Sequence, residues 1–283
     1  MPIAHYFPAI LFACWAIVAP LSCIAEEQSP NDRLLPLLQN QPRVTKVPNV
    51  AGRNGGMLYV YKDQDIASSI YGSEFCLLHI DSKSIRLKVK HIGLDNPIKE
   101  IYENSFPKDT IGVMTGGFFG VDLNGKPIPL GLEKVNFRVT NRLAKWSSGG
   151  VISSNSNGAW ISPIHSFRDS AQIEFAVQSK PLLIKKGNLG ISTISLDRFD
   201  RAAIGTTTTG EVVMAVISEP AGKGASLAEF SRLLSKVHLP EGQTIANALA
   251  MDGGPGAHLY VPSLRVHCGT GLPNYVPNAL YLQ

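Results

Sequence analysis

From Leu58 to the C-terminus the chain breaks into short apolar runs separated by turn residues, and this texture admits few folds. The runs are Leu58–Tyr61, Phe75–Ile80, Ile85–Ile92, Ile111–Met114, Val135–Val139, Ile173–Val177, Leu182–Ile184, Val212–Ile217, Leu249–Met251, His258–Val261 and Ala279–Leu282. Segments this short, rich in Val and Ile and bounded by Gly, Asn, Asp and Pro, form strands rather than helices. Ile85 to Lys90 alternates apolar with charged residues, so one of its faces meets water. Val212 to Ile217 is apolar throughout, which places it in the middle of a sheet covered on both faces. Strands of both kinds predict an α+β domain: a β-dominated, layered mixed sheet with one well-defined helix and few others. That helix spans about Leu227 to Val237. Ser226 with Glu229 makes a capping box, Phe230, Leu233, Leu234 and Val237 form one apolar stripe, and His238, Pro240 and Gly242 end it.

The 283 residues are enough for one β-rich catalytic domain with a substantial core. Residues 58–283 are expected to form that domain, and 26–57, polar apart from Leu34-Leu35-Pro36-Leu37-Leu38, to be a linker or loosely docked arm. Tyr6 to Ala25 carries no charge and ends before Glu26-Glu27, which reads as a secretory signal peptide, residues 1–25, cleaved after Ala25. The register around Cys23 does not fit lipidation. The protein is expected to be exported, periplasmic or secreted, without stable membrane insertion once the leader is removed. With 26 basic and 22 acidic residues and a net charge of +4, no nucleic-acid partner is implied. Removing the leader leaves Cys76 and Cys268, which either form one disulfide or stay as two buried thiols. No spacing of Cys and His supports a zinc site, and neither a metal nor a cofactor is expected.

Three segments carry the chemistry. Thr115-Gly116-Gly117-Phe118-Phe119 and Asp252-Gly253-Gly254-Pro255-Gly256 each follow an apolar run, and Arg201-Ala202-Ala203-Ile204-Gly205 lies between them. Paired glycines after a strand allow a sharp turn and the approach of a ligand to bare backbone. Asp252 is either a turn residue bonding its own backbone or a carboxylate presented where a buried strand emerges, raised in pKa by burial or lowered by a nearby cation. Arg201 needs a partner for its guanidinium, which a phosphate or Asp252 would supply. Of Phe118 and Phe119, neighbours on a strand, at most one faces the pocket and the other packs inward. Lys223, before the helix, sits either in an ordinary connection or at an anion-binding helix N-terminus. His165, His258 and His267 show no metal or triad spacing.

These segments, with Gln178-Ser179-Lys180-Pro181-Leu182 and Ser226-Leu227-Ala228-Glu229, follow one another as in the phosphodiester glycosidase family, which this chain resembles from about Leu58 onward. The resemblance implies hydrolysis of a sugar–phosphate linkage at the anomeric carbon. It implies Asp252, Arg201 and a second acid, Glu219 or Asp122, as catalytic groups. Thr115, Gly116, Gly117, Phe118, Phe119, Gln178, Gly253 and Gly254 would bind a glycosyl-phosphate or envelope-glycan substrate. Thr115 stands where the family has Asn, Gly256 where it has Ser and Ala202 where it has Thr. The alternative is a non-catalytic glycan- or phosphate-binding envelope protein on the same fold.

Overall fold

The structure is a computed structural model and describes residues 32–48, 54–62, 74–80, 85–94, 98–191, 193–195, 197–219, 224–269 and 276–283. The leader, its cleavage point at Ala25, and Lys223 lie outside the described residues. In chain order the first half comprises α1 (Pro36–Gln39), β1 (Arg43–Pro48), β2 (Asn54–Lys62), β3 (Glu74–Ile80), β4 (Leu87–Leu94), α2 (Ile98–Asn104), β5 (Gly112–Thr115), β6 (Phe119–Val121), β7 (Pro127–Pro129), β8 (Glu133–Val135), β9 (Arg138–Asn141) and β10 (Gly150–Asn155). There follow β11 (Gly158–Pro163), β12 (Phe175–Ser179), β13 (Leu182–Lys185), β14 (Asn188–Leu189), β15 (Arg201–Thr207), β16 (Val212–Ser218), α3 (Leu227–Ser235), β17 (Ile245–Ala250), β18 (Leu259–Val261), β19 (Val266–Cys268) and β20 (Val276–Leu282).

An eight-stranded sheet in the order β1-β2-β3-β16-β15-β17-β13-β14 forms the middle layer. Two five-stranded sheets, β19-β18-β5-β20-β4 and β11-β10-β12-β8-β9, lie against one of its faces. Every pairing among the described strands is antiparallel, so the architecture is α+β and β-dominated as expected, with antiparallel sheets where a mixed one was expected. The reason for the layering is visible in β16. Val212, Met214 and Val216 enter the core shared with the five-stranded sheets, while Val213, Ala215 and Ile217 enter the core beneath α3. Period-two alternation sends every second side chain to the other face, and an all-apolar strand needs a cover on both. β4 behaves as the alternation requires, with Leu87 and Val89 buried and Lys88 and Lys90 partly exposed.

Helix α3 carries the predicted capping box in full: Ser226 Oγ accepts from the Glu229 N–H and Glu229 accepts from the Ser226 N–H. Its Phe230, Leu233 and Leu234 pack on the central sheet. The segment expected to be a linker contributes an edge strand, β1, paired with β2, and buries Leu34 and Leu37 beside α3. Too short to show a period of its own, the Leu34–Leu38 cluster finds its apolar partner only in the tertiary fold. The run Val135–Val139 is not one strand but the tip of the β8–β9 hairpin. Val135 pairs with Arg138, and Asn136 and Phe137 turn the chain with φ of 49° and 67°.

Cys76 on β3 and Cys268 on β19 are joined by a disulfide closing a separation of 192 residues. It ties the central sheet to one of its covering sheets from within their shared core.

Candidate active site

The two glycine loops meet where the chain passes from the central sheet to a covering sheet. Past β17, the Met251 N–H still donates to Ala202 O on β15, but the next N–H, of Asp252, donates to Gly116 O at the end of β5, 3.0 Å away. Asp252 therefore sits on the seam between the layers. Thr115 fastens the same seam: its hydroxyl donates to Gly256 O and accepts from the His258 N–H. Two positions at which this chain departs from the family pattern, Thr115 and Gly256, thus touch one another.

The glycines do a different job from the one expected. A Cβ on Gly116 would lie 1.8 Å from Asn278 Oδ1, one on Gly117 2.8 Å from Gln178 O, and one on Gly253 2.8 Å from Asp200 O. Their bare backbone admits other protein strands rather than a ligand, because the sheets converge too closely for a side chain. Gly254, at φ +61°, is the exception, with no atom near where its Cβ would be. Gly116→Ala is expected to cost about 2–4 kcal/mol, the range of a severe steric conflict in a packed interior. Thermal unfolding of the purified variant measures this, and an unchanged midpoint would show that the seam can open.

Burial pushes the Asp252 carboxyl up to about 7, against the opposing effect of the Gly253 N–H. Buried Tyr102 of α2 feels its charge, and burial together with Asp252 raises that phenol. Arg201, the first residue of β15, lies against the Asp252 loop: its Nη1 would be 3.9 Å from a Cβ on Gly253. Two of its donors are engaged, Nε with Ala225 O at 2.8 Å and Nη2 with Asp197 O at 3.1 Å. Burial lowers its pKa while Asp197, Asp200 and Glu229 raise it. The expected choice between phosphate and Asp252 as its partner is thereby changed, since backbone carbonyls hold the guanidinium against Gly253, the residue after Asp252. Phe199, 53% exposed, has its ring 5.1 Å from the Arg201 guanidinium.

Other expected site residues are placed differently. Glu219 directly follows β16, the strand that pairs with β15, but its carboxylate bonds Arg33 Nη1 at 2.9 Å. Arg33 also donates to Glu229 and to Gly224 O, so it and Arg201 hold the consecutive carbonyls of Gly224 and Ala225. Burial disfavours the Glu229 carboxylate, yet Arg198, Arg33 and the Ser226 N–H hold it down to about 2. Asp122 is a turn residue, accepting from the N–H groups of Asn124 and Lys126 in the β6–β7 hairpin. The Gln178 amide is consumed by backbone, accepting from Leu132 and Ala144 and donating to Ala144 O. Phe118 and Phe119 are both half-buried, so neither is the inward-packed member of the expected pair. His258 and His267 bond each other at 2.9 Å, and His267 bonds Glu103.

The contacts behind Gly116-Gly117 were missed in the sequence. Asn278 accepts from the Gly117 N–H and donates to Glu133, a fully buried acid that also bonds His91 and Thr140. Asn278, a polar residue inside the apolar run of β20, was the available signal. Tyr102 and Arg33 had none. A cavity of 420 Å³, lined by Ile80, Trp160 and Glu211 among others, lies by the β15–β16 turn, at the other end of these strands.

The family model for phosphodiester glycosidases matches residues 108–283, more than half of the chain and all of the segments meeting at the seam. The chain belongs to the phosphodiester glycosidase family. No curated protein sequence matches it. Solved structures share the fold at low identity. The catalytic domain of zebrafish N-acetylglucosamine-1-phosphodiester alpha-N-acetylglucosaminidase, auto-inhibited by its pro-peptide, superposes with a TM-score of 0.58 at 11% identity, over 85% of this chain and 87% of that one. An exported protein of Burkholderia pseudomallei K96243, so described, gives 0.53 at 10% identity over 85% and 86%. A hypothetical protein from Synechocystis gives 0.52 at 15% identity over 81% of this chain, which spans 62% of that protein's length. At these identities the likeness is one of fold.

Proposed function

We propose that the protein is an exported hydrolase that opens the sugar–phosphate linkage of a glycosyl phosphodiester at the anomeric carbon. One observation carries the reading: a carboxyl pushed up to about 7 stands just past a strand end, and the Arg201 guanidinium, aimed by backbone carbonyls, lies against the next residue, Gly253. The zebrafish relative, named for a phosphodiester of N-acetylglucosamine, supports the substrate class. The uncharged stretch Tyr6 to Ala25, read as a leader, and a disulfide, which persists in oxidising compartments, support export to the periplasm or beyond.

In this mechanism Asp252, ionised, either attacks the anomeric carbon, forming a glycosyl ester that water then opens at the same carbon to free the carboxylate, or takes a proton from the water that attacks directly. The bond from that carbon to the phosphate oxygen breaks, and its electron pair leaves with the phosphate. The phosphate monoester that departs needs little acid assistance, so one carboxylate does most of the proton work. Glu219 and Asp122, engaged with Arg33 and with hairpin N–H groups, are not assigned a second acid's role. Arg201 holds the phosphate and offsets its growing charge. Phe199 offers a sugar face a platform beside that guanidinium.

Hydrolysis of a nitrophenyl phospho-sugar in ¹⁸O-labelled water tests the route. Label is expected in the released sugar; label in the phosphate would mean attack at phosphorus and end this mechanism. Tight binding of the compound without turnover would favour the non-catalytic reading.

A further inference from the structure

Seven of the eleven large hydrophobic side chains exposed among the described residues fall between Val121 and Leu143. Five belong to the β6–β7 and β8–β9 hairpins, which continue from the Thr115–Phe119 loop, and Leu130 and Leu143 follow closely on them. Leu123 is fully exposed at a hairpin turn, and Val121, Phe137 and Val139 are each about half exposed or more. The hairpins are tied together where the Asn141 amide donates to Pro129 O and Gly131 O, on either side of exposed Leu130. Soluble proteins rarely present this much apolar surface in one place without a use for it.

Phe137 is the more telling because of where it sits. The two-residue turn holds Asn136 and Phe137 at positive φ, the second being a position that glycine fills most cheaply. A bulky side chain held there against backbone strain, and 56% exposed, is open to contact from outside the fold. Cations are interleaved with the apolar residues. Lys126, Arg138, Arg142 and Lys145 are all exposed. The acids nearby are few: Asp122 is bonded within its hairpin, Asp169 is paired with Lys134, Glu133 is buried, and Glu174 lies beside the Phe137 turn. Apolar tips among basic side chains match the interface of an anionic bilayer, where the tips enter the acyl boundary and the cations meet headgroup phosphates.

We propose that these two hairpins form a peripheral docking surface for an anionic lipid bilayer. The surface is interfacial and spans nothing. β6 begins two residues after Gly117, so docking sets the seam with Asp252 close to the headgroups. If the phosphodiester reading holds, on which this last step rests, the substrates within reach are glycosyl phosphates carried on lipid.

The test is co-sedimentation of the protein, as the expressing cell processes it, with vesicles of phosphatidylcholine alone or mixed with phosphatidylglycerol. Binding is expected to be at least tenfold stronger to the anionic vesicles and to fall in high salt. Leu123→Asp with Phe137→Asp, and separately Lys126→Glu with Arg138→Glu, should each lower it at least tenfold while the melting temperature stays unchanged. Hydrolysis of a soluble nitrophenyl phospho-sugar should be equal in all three proteins. If that compound is not hydrolysed by the parent protein, the chemical reading fails, and vesicle binding still decides the docking. Wild-type binding no stronger to anionic than to neutral vesicles, or variants that bind as the parent does, would overturn the proposal. So would a dimer in light scattering that Leu123→Asp with Phe137→Asp dissociates, because a second copy would then be the occupant.

Discussion

Asp252→Asn is expected to lower kcat/KM on a glycosyl phosphodiester by about 10³-fold or more, the scale on which removing a nucleophile or general base acts. In the parent protein, activity should rise with pH through about 7, where burial has placed the carboxyl, because the group must be ionised to attack or to accept a proton. The residual activity of the variant should lack that bend. Stability runs the other way. A carboxyl raised from its ordinary value of 3.8 to about 7 in the fold stays protonated there while it would ionise in the unfolded chain. Its burial costs nothing below about pH 4, and stability falls as pH climbs toward and through 7, by an amount on the order of a few kcal/mol. Asp252→Asn, which cannot ionise, should therefore melt with the parent near pH 4 and above it at pH 8. Full activity in the folded variant would remove Asp252 from the mechanism. A parent whose pH–rate profile is flat between 5 and 9 would remove the carboxyl's burial from it.

Replacing both Cys76 and Cys268 by Ala is expected to lower the melting temperature by about 10–20 °C. The bond closes a separation of 192 residues. Loop-closure entropy for a span of that length corresponds to about 5 kcal/mol at most, and each kcal/mol shifts the midpoint of a domain this size by about 2–4 °C. Both sulfurs lie in the core between the central sheet and its cover, so their loss also removes packing where the two layers meet. The parent should show the same fall when unfolded under reducing conditions. A loss of only two or three degrees, or two titratable thiols in the native protein, would show that the layers are held by packing alone.

The placement of Asp252 and Arg201 on adjoining strands depends on contacts that no local pattern contains. β15 and β17 pair antiparallel although α3 and the whole of β16 separate them in sequence. The Arg201 guanidinium is aimed by Ala225 O, which belongs to the segment leading into α3. Arg33 reaches the same segment from a stretch that read as a linker, because an ion pair with Glu219 and Glu229 leaves no trace in composition.

The chain's own residues determined the layered β-rich fold, the two-faced burial of Val212–Ile217, the capped helix after Ser226 and the family, since alternation, capping and glycine-bearing loops are written in local order. Only the tertiary structure decided that the glycines seat Asn278, Gln178 and Asp200 rather than a ligand, that Gln178 and Glu219 are spoken for, and that Cys76 meets Cys268. The physical reason is one of distance along the chain. Strand and helix signals repeat every two to four residues, whereas side-chain partnership at the seam joins groups more than a hundred positions apart, whose meeting is fixed by how the sheets pack.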